Sequence, residues 1–461
     1  MINICDPSDT NKMKRFLSLG LVPVISTIFI GCSLHVEPLR KYAPLPYAPC
    51  SIKFISKDDA LKTKKTLGLD EAIAICMTNN HALRIAREEI NMAEGQLRQA
   101  KLLNNPEIEL NINSSSASDA VLNIAGSLTQ PIPLFWPKRQ VAIAVAEASV
   151  ERAKAEILRF EWELRVGVKR TYLQTLLLQN EKTLFEQSLE ISRSLSASTA
   201  RLKIGGETSR ISELLVQSEL IEAKARLIEI ESELAKKRSE LAIIIGGTTL
   251  PLLADGTLEF PESLDFDPLK LSRTFAAGNP EIYLRDAEIR LMTLEQTAAS
   301  NAWWPDSKIG VSGEREAGGD RLLGGLFSIE LPIFNRNQGE IQSRTAALSK
   351  AQIEREQTIF VGQHALDRLI IVLRQTRQLI SLYQDQGLSG VEENLKLVQR
   401  AIAAGESTPF ELIAARRQSI AMKLAYLRAR FAALEILLDL EAVLGTPVFD
   451  FKIERVTTQE K

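Results

Sequence analysis

Two very long stretches without proline constrain this fold more than any other feature of the sequence. Residues 138–204 contain no proline and a single glycine, Gly167, and residues 338–403 also lack proline. Because proline interrupts a helix and an α-helix rises about 1.5 Å per residue, the first stretch predicts one helix of roughly 100 Å. No compact core can bury such helices, so we expect them to pack lengthwise against one another.

The helices that follow these stretches carry the pattern that lengthwise packing requires. In the first half, leucines recur every seven residues at Leu220, Leu227, Leu234 and Leu241. In the second half, apolar residues alternate spacings of four and three at Ile420, Leu424, Leu427, Phe431, Leu434 and Leu438. Apolar residues at these spacings are typical of a coiled coil.

The chain also repeats one unit at an offset of 199 residues. Four landmarks recur in register: Pro106 and Pro305, Arg201 and Arg400, Gly206 and Gly405, and Gly246 and Gly445. The pattern of each half predicts the same order of elements: a helix, two strands, a very long helix and a returning helix. The first of these helices should cover residues 69–103, with Asp70 as its N-cap. The predicted organisation is a signal peptide (1–31), a proline-rich strap (32–66), a first repeat (67–247), a linker (248–270), a second repeat (271–447) and a tail (448–461).

The two strands of each half are predicted from alternating apolar and polar residues. They cover residues 107–113 and 122–129 in the first half, and 308–313 and 323–331 in the second. Three of the four tryptophans, Trp136, Trp303 and Trp304, lie just outside these strands, where a membrane barrel carries its aromatic girdle. A soluble antiparallel sheet with one face on a core gives the same alternation, so both interpretations stand at this point.

The N-terminus has the features of a secretory signal. Lys14 and Arg15 precede an apolar run that ends at Gly31-Cys32, and translation from Met13 fits a signal peptide best. Gly31-Cys32 resembles a bacterial lipoprotein cleavage box, which predicts acylation of Cys32 and anchoring at a membrane. An ordinary signal peptide with a coincidental cysteine is the alternative.

Composition and motifs exclude several classes of function. The 56 Lys+Arg and 58 Asp+Glu residues leave a net charge of −2, so no basic surplus calls for nucleic acid. Only three histidines occur, and phosphate loops, serine elbows and CxxC pairs are absent from the sequence. We therefore expect no enzyme activity, no cofactor and no metal centre. An oxidising compartment would allow a Cys50–Cys76 disulfide, whereas the apolar run around Cys76 favours a buried thiol.

Several short motifs make the chain similar to the outer-membrane efflux (TolC) family. They are Leu69-Asp70-Glu71-Ala72-Ile73, Asn104-Asn105-Pro106-Glu107, Gln130-Pro131-Ile132-Pro133 with Lys138-Arg139, and the two Gly-x-x-Ser/Thr turns that begin at Gly206 and Gly405. The phrase from Gln99 to Pro106 is most like the CzcC/CusC heavy-metal efflux branch, although Pro137 replaces the glycine usual in that branch. The resemblance covers roughly residues 65–447.

The resemblance implies a mainly α fold with membrane β-structure, built from a duplicated helix–β-hairpin–long-helix–helix unit. It implies a homotrimer in which a 12-stranded β-barrel continues as a periplasmic α-helical coiled-coil tunnel. The implied partners are a periplasmic adaptor, an inner-membrane RND pump and outer-membrane lipid, and the implied function is passive export of substrates, heavy-metal cations in this branch. Multidrug efflux or type I secretion with the same architecture is one alternative, and a periplasmic coiled-coil scaffold lipoprotein is another.

The resemblance also carries site residues over to this chain. The adaptor would meet the two helix turns at Gly205, Gly206, Thr208, Gly405, Glu406 and Ser407. Glu213 and Glu411 stand where the family narrows its pore, and a trimer would turn each into a ring of three carboxylates that favours cations. From the residues alone, ordinary helix ends, with Ser209 and Thr408 as caps, explain the turns equally well.

Overall fold

A computed structural model describes residues 66–114, 122–132, 136–204, 209–246, 253–254, 257–258, 267–315, 320–404, 406–447 and 453–454. All of them belong to one of the two units into which the chain divides, Pro49–Lys461. Five residues of the expected sites, Cys32, Gly205, Gly206, Thr208 and Gly405, lie outside the described residues, as does Cys50.

The two halves follow the same order of elements. The first half consists of β1 (Thr66–Leu67), α1 (Leu69–Asn79), α2 (His81–Ala100), β2 (Glu107–Ser114), β3 (Leu122–Ile132), α3 (Trp136–Ile204) and α4 (Arg210–Ile245). Two short strands follow, β4 (Leu253–Ala254) and β5 (Thr257–Leu258). The second half consists of α5 (Pro268–Gly278), α6 (Pro280–Asn301), β6 (Ser307–Arg315), β7 (Arg321–Ile329), α7 (Gln338–Leu382), α8 (Ser389–Ala403), α9 (Pro409–Leu444) and β8 (Ile453–Glu454).

The long proline-free stretches form long helices, as predicted. Helix α3 runs unbroken for 69 residues. Its counterpart contains a π-helical segment, Tyr383–Leu388, between α7 and α8. The predicted α4 pattern is largely confirmed, because Leu234 and Leu241 are buried, whereas Leu220 and Leu227 are only partly buried.

The predicted first helix, residues 69–103, is wrong in two respects. Asn80 has extended backbone angles (φ −60°, ψ 124°) and divides the segment into α1 and α2. Its side-chain oxygen accepts a hydrogen bond from the Leu83 N–H at 2.9 Å and so caps α2. Asp70 is not an N-cap, because Gly68 occupies that position, and the Asp70 carboxylate instead lies in the first turn, where the helix dipole favours it.

Helix α3 lies at the centre of the described helices. It packs against α2 and α6 towards its start and against α4 and α9 towards its end. The largest apolar cluster gathers residues of α3, α5, α6, α7 and α9, with Phe275, Leu434, Leu437 and Leu438 almost fully buried. A second cluster around Tyr172 and Ile245 joins α1, α3 and α4. Lateral helix packing, rather than one central core, therefore holds these helices together.

The main sheet has four antiparallel strands in the order β2-β3-β6-β7. Its register places most of the apolar residues on one face: Ile108, Leu110, Ile112, Ile124, Leu128, Ile132, Ile309, Val311, Leu323, Phe327 and Ile329. The polar residues on that face include Gln130, Ser307, Arg315 and Arg321, and the last three of these lie at the ends of their strands. The opposite face carries Glu107, Glu109, Asn111, Ser127, Thr129, Lys308, Ser312, Glu314 and Ser328, with Ala125, Pro131, Leu322 and Leu326 as apolar exceptions.

The apolar face of this sheet lies open rather than on a core. Ile108 is 82% exposed and Leu323 is 89% exposed. The soluble-sheet interpretation requires this face to be covered by the same chain, and in the described residues it is not. Among the described helices, none combines the length and the apolar character needed to cross a membrane.

Candidate functional site

The first candidate site is the start of α4, at the turn between α3 and α4. Ser209 caps this helix, since its Oγ accepts a hydrogen bond from the Ser212 N–H at 3.2 Å. One turn later, the carboxylate of Glu213 pairs with the guanidinium of Arg210. The Glu213 side chain is only 13% exposed. Its charge therefore lies against the protein and is partly neutralised at this turn.

The second candidate site is the start of α9, where Thr408 and Glu411 form a capping box. The Glu411 N–H donates to Thr408 Oγ1 at 3.4 Å, and the Thr408 N–H donates back to Glu411 Oε2 at 3.0 Å. The Ser407 hydroxyl also donates to Glu411 Oε2. These hydrogen bonds lower the pKa of Glu411, and the bond from Ser407 has the largest effect. The carboxylate is thus ionised and held by its own turn.

The two glutamates do not occupy equivalent positions in the two halves. Glu411 is the third residue after its cap Thr408, whereas Ser212 holds that position after Ser209. Glu213 stands one residue further along α4. Successive residues turn by about 100° around an α-helix, so the two carboxylates leave their helices in different directions.

The expected adaptor contacts are only partly described. Glu406 is exposed, and its backbone N–H donates to the Ala401 carbonyl at 2.8 Å, which closes the end of α8. Ser407 is partly buried, and its hydroxyl donates a hydrogen bond to the Glu411 carboxylate. Both residues therefore have a local structural role at the helix turn.

Sequence reasoning missed an ionic contact between the two halves, a few residues beyond the starts of α4 and α9. Arg417 on α9 donates to Glu219 Oε2 on α4 from both Nε and Nη2, at 2.9 and 2.6 Å, and it also pairs with Glu222. The neighbouring Arg416 reaches the Ile191 carbonyl of α3 at 3.4 Å. It lines a cavity of about 90 Å³ between α3, α4, α8 and α9, and burial there lowers its pKa. The adjacent arginines were visible in the sequence, but their partners were not.

The cysteine prediction is resolved in favour of burial. Cys76 is a free, fully buried thiol whose Sγ donates to the Ile244 carbonyl at 3.1 Å. Burial raises the pKa of this thiol to about 12. It is therefore unreactive and packs as a small apolar residue. Within the described ranges, no cluster of His, Cys, Asp and Glu side chains could hold a metal ion.

Comparison with known proteins agrees with this geometry. Residues 73–247 match the family model described as outer membrane efflux protein. The cobalt-zinc-cadmium resistance protein CzcC of Cupriavidus metallidurans is 24% identical over 395 residues, which cover 82% of this chain and 90% of that protein.

Solved structures share the fold over the same part of the chain. CusC superposes with a TM-score of 0.70 at 17% identity, covering 82% of this chain and 92% of that one. The MtrE outer-membrane channel of Neisseria gonorrhoeae superposes with a TM-score of 0.68 at 19% identity, covering 82% and 89%. The chain is therefore similar to outer membrane efflux proteins, in sequence over residues 73–247 and in fold over most of its length, and it is a protein of the outer membrane.

Proposed function

We propose that this protein is the passive outer-membrane conduit of a tripartite efflux system and that it carries heavy-metal cations from a periplasmic adaptor and inner-membrane pump to the exterior. The observation that carries the proposal is the four-stranded sheet, exposed and apolar on one face and polar on the other. That arrangement suits a strand assembly between lipid and a water-filled lumen.

The free edges of the sheet support a closed ring of copies. Strands β2 and β7 are the outer strands, and each leaves one edge of backbone groups without a partner strand in the described residues. Such edges are not tolerated in lipid, where every backbone polar group needs a partner. Four strands cannot close on themselves, whereas identical copies joined β2 to β7 make a closed cylinder. Three copies give the 12-stranded barrel and the homotrimer.

The packed helices, like the strands, leave a first-half element on one outer side and a second-half element on the other. In the order α2-α3-α6-α7, a helix of the first half is outermost on one side and a helix of the second half on the other. The order α4-α3-α9-α8 follows the same rule. Helix α4 also exposes apolar residues at Ile211, Leu214, Ile221 and Ile228, and the last three lie seven residues apart. This coiled-coil pattern lacks a partner within the described chain, and a neighbouring copy would supply one. Closure of these helices continues the barrel as a tunnel.

The tips and the N-terminus complete the proposal. The helix turns at Gly205, Gly206, Thr208, Gly405, Glu406 and Ser407 would meet the adaptor, and Cys32 would carry the lipid anchor. Glu213 and Glu411 would form two carboxylate rings at the constriction. Because Arg210 neutralises part of the Glu213 charge and Glu411 is held in its cap, these rings would bias the pore towards cations only mildly.

The metal substrate rests on the similarity to a cobalt-zinc-cadmium resistance protein. Multidrug efflux or type I secretion would use the same architecture, so a transport phenotype must decide between them. A periplasmic scaffold is disfavoured because it leaves the exposed apolar face of the sheet without a role.

The proposal is tested by survival of a strain that lacks this gene. The strain should become sensitive to cobalt, zinc or cadmium, and the intact gene should restore growth. Sensitivity to dyes and detergents without metal sensitivity would contradict the metal substrate. As a matched pair, Ser312→Arg should restore growth and Val311→Arg should not, because Val311 lies on the apolar face and Ser312 on the polar face.

A further inference from the structure

A pocket of about 340 Å³ lies where the sheet meets the helices. Three parts of the chain form its walls: the start of α3 with Lys138, the connection from α6 to β6 with Trp303 and Asp306, and the connection from β7 to α7 with Glu330 and Phe334. The last paired residues of the sheet, Ser307 and Ile329, directly adjoin it. The pocket thus begins where the apolar sheet face ends.

The charged side chains of the pocket offer a ligand hydrogen-bond acceptors but no free ammonium donor. Lys138 Nζ donates to both carboxylate oxygens of Asp306 at 2.9 Å and to the Trp304 carbonyl at 3.3 Å. An ammonium group has three donors, so these partners occupy all of them. Glu330 is exposed and forms no ion pair within the described ranges. A cationic ligand would therefore find carboxylate oxygens here, whereas an anion would not find a free ammonium.

The rim of the pocket is aromatic and apolar. Trp303 is 42% exposed and lies against Trp304, with ring centroids 4.7 Å apart. Phe334 is 93% exposed, and Leu331 and Ile333 beside it are also exposed. Aromatic faces next to carboxylates attract alkylammonium groups, and exposed apolar side chains favour hydrocarbon. A ligand that uses both the carboxylates with their aromatic neighbours and the exposed apolar side chains is an amphiphile with an ammonium head.

We propose that this pocket binds the headgroup of a membrane phospholipid that carries a primary ammonium, as in phosphatidylethanolamine. The ammonium lies at Glu330 and the outer side of Asp306, next to Trp303, and the acyl chains run along Leu331, Ile333 and Phe334. The inference rests on the proposed function only in that the base of the sheet lies at the membrane surface.

The test is competitive lipid binding to the full-length protein, purified and delipidated in detergent. Native mass spectrometry would count bound phosphatidylethanolamine and phosphatidylglycerol, supplied in equal amounts with identical acyl chains. The intact protein should prefer phosphatidylethanolamine, and Glu330→Gln should weaken that preference about tenfold, the effect of one charge-assisted hydrogen bond. Glu314→Gln is the matched control, because Glu314 is an exposed carboxylate on β6 outside the pocket.

Equal binding of the two lipids by the intact protein would overturn the proposal. So would an unchanged preference in Glu330→Gln. Because binding is read in detergent, this result does not depend on transport: a protein that binds phosphatidylethanolamine but conducts no ions would refute the proposed function and leave the lipid site standing.

Discussion

Asn80 and Asn279, 199 residues apart, make the same pair of contacts in the two halves of the chain. Each side-chain oxygen caps the helix that follows, Asn80 towards Leu83 and Asn279 towards Glu281 and Ile282. Each side-chain nitrogen donates to a carbonyl at the end of the returning helix, Ile244 at 2.7 Å and Val443 at 2.5 Å. The duplication in the sequence therefore extends to individual hydrogen bonds.

Replacing either asparagine should loosen both helices that it joins. Asn279→Ala removes the cap of α6 and leaves the Val443 carbonyl without this donor, which should cost about 2 kcal/mol. The measurement is the melting temperature of the detergent-solubilised protein by circular dichroism. Asn91→Ala is the control, because the side chain of exposed Asn91 bonds, among the described residues, only to the Glu88 side chain of its own helix. Equal melting temperatures for the two variants would refute the assigned role.

The glycines beside these carbonyls belong to the same joints. Gly246 and Gly445 end α4 and α9 with φ values of 75° and 72°, which favour glycine. A Cβ at Gly246 would also lie 2.7 Å from the Asn79 carbonyl oxygen. These contacts explain why this glycine pair is among the landmarks at the offset of 199 residues.

A buried ion pair joins the middle of α3 to the last turn of α9. Lys169 Nζ lies 2.7 Å from Glu441 Oε2, and the Glu441 side chain is fully buried. Lys169→Met should destabilise the protein by about 3–5 kcal/mol, because it removes the ammonium group that pairs with the buried Glu441 carboxylate. Lys169→Met combined with Glu441→Leu should recover most of that loss, as measured by thermal unfolding. A double variant less stable than Lys169→Met would contradict this explanation.

The capping box at Glu411 predicts a pH-dependent helix turn. Since hydrogen bonds lower the folded-state pKa of Glu411, its contribution is complete above the unfolded value near 4.5 and is lost as pH falls through the lower folded value. The protection factors of the amides at the start of α9, which correct hydrogen exchange for its intrinsic pH dependence, should therefore fall in acid. Glu411→Gln should remove this dependence, because glutamine can still bond to the cap but does not titrate. Glu406→Gln should keep it, and identical pH profiles for the two variants would refute the prediction.

The two faces of the sheet predict opposite effects of one substitution. Val311→Arg places a charge on the apolar face, which costs about 2–4 kcal/mol near the middle of a bilayer. Ser312→Arg, one residue along β6, places the same charge on the polar face. Outer-membrane fractions should contain much less of the first variant than of the second. Equal amounts would mean that the apolar face is not in contact with lipid.

Much of the fold was predictable because it depends on local periodicity. The lack of proline predicted α3, and the period-two alternation predicted all four strands of the main sheet. The break at Asn80 was missed because that residue donates to Ile244, far along the chain, and a one-residue interruption leaves the apolar pattern intact. The π-helical turn at Tyr383–Leu388 gave no signal that we can name.

The sites were less predictable because they depend on contacts between distant segments. The capping box was available in the sequence, since Thr408 and Glu411 stand at the spacing of that motif. The bridge from Arg417 to Glu219 was not, because it requires knowing which helices of the two halves face each other. The sequence likewise gave no sign that Glu213 and Glu411 leave their helices in different directions.

The most direct test of the account is ion conductance of the purified full-length protein in planar lipid bilayers. We expect discrete conductance steps with a preference for cations, reduced in the double variant Glu213→Gln and Glu411→Gln because both carboxylate rings then lose their charge. Unchanged cation selectivity in the double variant would refute the two carboxylate rings but not the proposed channel. Folded protein that inserts into the bilayer and conducts no ions would contradict the account as a whole.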